Sequence, residues 1–267
     1  MAILTISREH GCGAEDIGHR VAEKLQYTYI DKELLLRDME KKGGSWGRLT
    51  RDLDEVSPTL WERHDWQYQG FIAQMEALIL AYAASDQVVI IGRGSSFLLQ
   101  QVPHCLRVRL VAPLKVRVER IMIKEDVDQE AAERLIARKD EERAGYIKIN
   151  YGKKWGKQKV YDVILNTGSL TQDQVIDIIL SGLKEKDRLA TPEAKTHLQN
   201  LALAYRLKAQ IATDPRLLVP TLKVDLDHDT ITVAGIIRTP KEEKLLKEIS
   251  REVLGDRPLH FALHRRA

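Results

Sequence analysis

The chain has 267 residues, of which 43% are hydrophobic and 30% charged, and it carries a formal net charge of +3. These values exclude a disordered or low-complexity chain, and the charge is too small to imply nucleic-acid binding by itself. No apolar run approaches the roughly 20 residues that span a bilayer. The two cysteines, Cys12 and Cys105, outline no disulfide framework. The opening MAILTISREHG has no small-residue cleavage site, so a cytoplasmic protein is expected.

In chain order, residues 2–6 read as a buried strand. Residues 15–25 read as a helix, with Ile17, Val21, Ala22 and Leu25 spaced along one face. YTYID (27–31) suggests a second strand, followed by a helix over Lys32–Glu40 that Gly43 and Gly44 would end. Residues 45–66 are polar with scattered aromatics, and a long helix is expected over about 67–84. DQVVIIGRGSS (86–96) is an apolar strand running into a glycine turn, and CLRVRLVAP (105–113) is another strand. Helices are expected over Leu114–Lys124 and Gln129–Arg143. A last strand, YDVILNTG (161–168), precedes a helix over about 171–184.

Strands alternating with helices imply an α/β fold: a doubly wound parallel sheet with helices on both faces. After residue 185 the composition shifts. The charged stretch 186–195 contains Pro192 and reads as a linker. A helix over about 196–212, two alternating strands across Asp227-His228-Asp229, a helix over 240–254 and the strand LHFALHR complete an αββαβ unit. The expected domains are therefore 1–185 and 196–267, the second a small α+β one without chemistry of its own.

SREHGCGAED (7–16) joins the first strand to the first helix. His10-Gly11-Cys12-Gly13 has the glycines that let a backbone turn tightly and approach a phosphate closely. The lysine and hydroxyl of a P-loop are replaced by Ala14 and Glu15. Arg8 could supply the missing charge or be an ordinary surface arginine. Glu15 and Asp16 suit the positive end of the helix dipole, and either could bind magnesium. Cys12 near a helix start could have a lowered pKa or simply be small enough to fit.

Arg93, in IIGRGSS, lies beyond a strand on the same edge and is placed for bidentate phosphate recognition or for tying loops together. Arg138, Lys139, Asp140, Glu142, Arg143 and Lys148 follow on one helix and its exit, where Arg138 and Glu142 could form an i,i+4 pair. From Arg143 to Lys159 there are six Lys or Arg and no acid. That tract suits a mobile lid over transferring phosphates or a solvated basic loop. Tyr146, Tyr151 and Trp155 interleave with the lysines, which keeps an RNA contact open.

ISREHGCGAEDIGHRVAEKL with YIDKELL, VVIIGRGSSFLL, VPHCLRVRLVAPLKVRVERI, DEERAGYIKINYGKKWG and YDVILNTGSL, in this order over residues 1–182, resemble the cytidylate kinase-like family of P-loop nucleoside monophosphate kinases. The resemblance implies a nucleotide kinase using ATP and Mg2+, with a nucleotide as its substrate partner. It also implies phosphate contacts at Gly11 and Gly13, a nucleotide-site role for Asp31 and monophosphate binding by Arg93. Arg138, Asp140 and Arg143 would be lid residues. The family's ordinary GxxGxGKS loop is not kept at Ala14, which puts catalysis rather than fold in question. The last unit resembles a BON domain through DPRL, KVDLDHDTITVAGIIRT and EEKLLKEISREVLG, which implies a protein or membrane-surface partner.

Overall fold

The computed structural model describes residues 1–41 and 65–265. The expected helix end at Gly43-Gly44, and nearly all of the polar stretch 45–66, lie outside these residues. The chain forms two compact units, and among the described residues it changes unit after Asp38, after Ala84 and after Thr191. Among the described residues the first holds 1–38 and 85–191, and the second holds 39–41, 65–84 and 192–265.

Five parallel strands make the sheet of the first unit: β1 (Ile3–Arg8), β2 (Thr28–Ile30), β3 (Val88–Ile91), β4 (Cys105–Val111) and β5 (Val163–Asn166), in spatial order β2-β3-β1-β4-β5. β1 is central because it is apolar on both faces; Ile3, Leu4 and Ile6 are fully buried. The helices are α1 (Ala14–Leu25), α2 (Lys32–Lys41, of which residues 39–41 belong to the second unit), the short α4 (Ser95–Leu98), α5 (Leu114–Glu125), α6 (Gln129–Tyr151) and α7 (Gln172–Asp187). This is the expected doubly wound architecture, a P-loop kinase-like sheet whose carboxyl strand edge is the natural ligand edge. Ile17, Val21 and Ala22 of α1 and Val175, Ile176 and Ile179 of α7 close one core layer against β1 and β4.

Two expectations change in this unit. Helix α6 runs on to Tyr151, eight residues past Arg143, so half of the basic tract is helical. The tract's rings are also packed: Phe97, Ile147, Val160 and Tyr161 are buried, with Tyr146, Tyr151 and Trp155 against them.

The second unit contains α3 (Trp66–Ala84), α8 (Pro192–Thr213), β6 (Lys223–Asp227), β7 (Thr230–Ile237), α9 (Pro240–Leu254) and β8 (Leu259–Arg265). β6 and β7 are antiparallel and β8 joins β7 in parallel, so the sheet order is β6-β7-β8. The αββαβ order expected for the C-terminal region is present. Helix α3, expected among the elements of residues 1–185, packs instead against α8 through Ala73, Ala77, Ala209 and Ala212. Small residues on both helices allow that approach. Helix α8 begins at Pro192, so the segment between α7 and α8 is only residues 188–191. Thr239 opens α9 with a capping box to Glu242 and with Pro240 in the first turn. Among the described residues no helix is long and apolar enough to cross a membrane.

Candidate active site

The loop after β1 is held from beneath. The Glu9 N–H donates to Leu110 O (3.1 Å), and the His10 N–H donates to Asp140 Oδ1 (2.8 Å). Arg117 Nη1 donates to Asp140 Oδ2 (2.6 Å) and to His10 O (3.3 Å), so one guanidinium clips the loop to α6. Glu9 lies 3.5 Å from Arg109 and 3.6 Å from Arg117. Thr167 Oγ1 donates to Cys12 O (2.9 Å) and accepts from Arg120 Nη1 (3.0 Å). Gly13 has φ 76 and opens α1, which no side chain caps. The first-turn N–H groups of α1 therefore retain the anion-binding character of a helix start. At the Gly13 Cβ position the nearest heavy atom is Gln172 Nε2, 3.8 Å away, which leaves room for close approach.

A cavity of about 500 Å3 opens beside this loop at the carboxyl ends of β1 and β3. Arg8, Arg93 and Arg143 line it, with His10, Glu15, Asp31, Lys139 and Glu142 among the other charged or titratable groups. Phe97, Tyr146, Ile147 and Trp155 form an apolar part of its wall. Arg8 and Arg93 keep some accessible surface, yet protein surrounds them closely enough that burial lowers both pKa values, and each feels another guanidinium as well. Arg143 is pushed down to about 10 by burial and then by the charge of Arg8. Guanidinium groups stay protonated at neutral pH. The downward shifts therefore express cations held largely away from water beside one another.

The remaining expected residues divide into those that reach the cavity and those that brace it. Glu15 reaches it. Burial alone would raise its carboxyl, but the hydrogen bond and charge of Lys124, 3.1 Å away, with Arg8 and Arg143 behind, bring it below the usual range. His10 is pushed down to about 4 by burial and the Arg143 charge, so its imidazole is neutral, and its Nε2 is buried without a hydrogen-bond partner among the described residues. Asp31 accepts from the Leu34 N–H (2.8 Å) at the start of α2 while facing the cavity.

Asp140, Gly11, Cys12, Gly13, Ala14 and Asp16 are not part of the cavity wall. Asp140 acts as the loop clip, and Cys12 is 1% exposed with its thiol pushed up to about 11 by burial, which leaves it unreactive. Arg138 is turned to solvent 3.8 Å from Glu142, the i,i+4 pair its spacing allows, and Lys148 is exposed; neither lines the cavity.

Sequence reasoning passed over Tyr29 and Ser95 and named Trp155 only as one of the rings of the basic tract. Tyr29 lines the cavity and stacks on His19 with ring centroids 3.7 Å apart. Trp155 lies over the Arg109 guanidinium (4.2 Å) and donates from its indole N–H to Ser7 Oγ (3.1 Å). Ser95, on the cavity wall, has a buried hydroxyl without a partner among the described residues. Only the spacing of Trp155 within the aromatic-rich tract gave a hint in the sequence.

Parallel sheet, glycine-bearing loop at the first strand end and arginine-lined cavity on the same edge together define an α/β protein of P-loop kinase type. The cytidylate kinase-like family model matches residues 3–169, more than half of the chain, and the chain belongs to that family. It is 26% identical over 184 residues to a cytidylate kinase of Methanocaldococcus jannaschii, covering 68% of this chain and 97% of that one. A 104-residue match to a uronate isomerase of Corynebacterium glutamicum is 34% identical and spans only 20% of that protein. In fold the chain is similar to a crystal structure of an uncharacterized protein from Eubacterium ventriosum, with TM-score 0.54, 22% identity, and coverage of 69% of this chain and 99% of that one.

Proposed function

We propose that the protein transfers the γ-phosphoryl group of ATP to a nucleoside monophosphate, with CMP or dCMP as the acceptor. The observation that carries this reading is the convergence of Arg8, Arg93 and Arg143 on one cavity beside the loop. Phosphoryl transfer depends on positioning and on stabilising charge on the equatorial oxygens, and guanidinium groups serve both. An acceptor phosphate is already anionic, so the reaction needs no strong base. The neutral His10 and the engaged Asp31 are compatible with that.

In this reading the loop backbone from His10 to Ala14 and the start of α1 hold the donor phosphates. Arg143 stands at the junction of donor and acceptor, its Nη1 fixed by Arg8 O at 3.1 Å. The aromatic wall of Phe97, Tyr146 and Trp155 would take the acceptor's base and exclude water. Among the described residues no cluster of three His, Cys, Asp or Glu could hold a metal by itself. Mg2+ commonly binds through one or two carboxylates and substrate phosphates, so Glu15 fits as a single protein ligand and Asp16, off the cavity, fits less well. Magnesium would neutralise charge on the donor phosphates.

A coupled assay with CMP, dCMP, UMP, AMP and GMP tests the proposal. Turnover with a pyrimidine monophosphate supports it, and ATP binding without turnover of any acceptor refutes it. The second reading, a nucleotide-binding regulator that signals through a BON-like C-terminal unit, is favoured by Ala14 in the lysine position and by the αββαβ order. Nucleotide binding that Arg93→Ala abolishes, with no detectable transfer, would select it. Such a unit would contact a protein or a membrane surface, and the whole protein would work in the cytoplasm.

A further inference from the structure

Arg8 occupies a position where the phosphate-loop pattern has glycine. With Ala14 at the lysine of GxxGxGKS, Gly13 and Gly11 fall on glycines and Arg8 falls on the first one. A long cation has replaced the smallest residue at the end of the central strand, and the space for it comes from across the sheet. A Cβ on Gly92 would collide with Arg8 Nη1 and lie 3.2 Å from Cζ and 3.7 Å from Nη2. Gly92 follows β3, and its N–H donates to Ile6 O (2.9 Å). The Arg8 guanidinium thus lies against the turn after β3, with Glu15 in the first turn of α1 as its strongest charged neighbour.

The same turn presents Arg93. Its φ of 54 is a left-handed conformation that a non-glycine residue rarely adopts, and such strain persists only where the surroundings impose it. Here the Ser95 N–H donates to Gly92 O (3.0 Å) and the Phe97 N–H to Gly94 O (2.8 Å). The Tyr151 ring fills the place a Gly94 side chain would need, with Cζ 2.6 Å from the Cβ position. On the same wall Ser95, 1% exposed, keeps a hydroxyl without a hydrogen-bond partner among the described residues. A buried hydroxyl left in that state points to a ligand atom that completes it.

We infer that Arg8 and Arg93 form a two-guanidinium clamp for the phosphomonoester of the acceptor, completed by Ser95 Oγ, and that Gly92 is the residue that admits the clamp. Arg8 then belongs to the acceptor half of the site and does not replace the loop lysine. Two planar forks, one on the turn and one reaching it from the end of β1, match the several oxygens of a phosphate dianion better than a single ammonium does. The naming of the acceptor rests on the kinase reading; the clamp itself requires only a phosphomonoester.

The test is calorimetric titration of the full chain with CMP and, separately, with ATP and Mg2+, on the native protein and on Arg8→Ala, Arg8→Lys and Gly92→Ala. Arg8→Ala is expected to weaken CMP about 30-fold, the loss of a charge-assisted pair, and to leave ATP within about threefold. Arg8→Lys should recover only part of this. Gly92→Ala should reproduce the CMP defect, and combining it with Arg8→Ala should add little. If Gly92→Ala does not fold, the two Arg8 variants decide alone. Loss of ATP affinity with CMP retained, or no change in either, overturns the clamp while leaving the kinase reading in place. If the native protein binds neither nucleotide at millimolar concentration, the kinase reading falls. The clamp is then judged by inorganic phosphate: binding lost in Arg8→Ala supports it, and no binding overturns it.

Discussion

The two units handle buried charge in opposite ways. In the second, Glu76 is 4% exposed, and Lys208 Nζ reaches its Oε2 at 2.8 Å while lying 5.1 Å from the Tyr205 ring. That pair neutralises itself between packed helices. In the first, burial lowers the pKa values of Arg8, Arg93 and Arg143 on the wall of a cavity, and the charge of a neighbouring guanidinium lowers each further. The acids near them are partly committed elsewhere, Glu15 to Lys124 and Asp140 to Arg117. A charge paired internally serves the fold, whereas cations gathered on a concave wall serve a ligand. Only the second arrangement marks a functional site.

The contrast can be broken most sharply at Arg93. Arg93→Gly should lower kcat/KM by about 100-fold, as loss of a charge-stabilising donor does, without lowering the unfolding midpoint, because glycine accepts the left-handed backbone. A stability loss equal to the activity loss would make Arg93 structural. Lys208→Met should do the reverse. It leaves Glu76 buried and uncompensated, costing about 3 kcal/mol in denaturant titration, while Glu76→Leu in the same chain restores most of the loss and kcat/KM stays unchanged throughout.

Asp140→Asn sits between these cases. It weakens the clip to Arg117 and should raise the KM for ATP about tenfold, by loosening the loop rather than removing a contact. An equal effect on the acceptor's KM would contradict the division of the site. The smallest effect is expected at His10. Its native pKa, about 4, lies below its ordinary value of 6.5. Between those values the unfolded state binds the proton and the native state does not, so stability falls as pH drops from 6.5 to 4. His10→Gln should flatten that part of the pH profile of the unfolding midpoint.

The strand–helix alternation was legible because the first unit's strands are short, apolar and bounded by glycine or polar turns. Arg8, Arg93 and Arg143 were legible as cations at strand ends or on the following helix. Arg138 and Lys148 looked equivalent in the string, but one turn of helix decides whether a side chain faces the cavity or solvent, and a charge run does not reveal that phase. Helix α3 falls in the second unit although its place in the sequence is among the elements of the first, because nothing in an apolar helix tells which partner will bury it. The bracing by Arg117 and Thr167 was not legible either, since it joins residues more than 100 positions apart.

Trp155 gives the cavity an optical property. Its indole lies on the cavity wall, over the Arg109 guanidinium and hydrogen-bonded to Ser7 at the end of β1. A nearby cation and a donated N–H both influence indole emission, so a molecule entering the site will alter its colour and yield. With Trp46, Trp61 and Trp66 replaced by phenylalanine, the protein's own fluorescence would report occupancy without a label, in real time, for donor and acceptor separately.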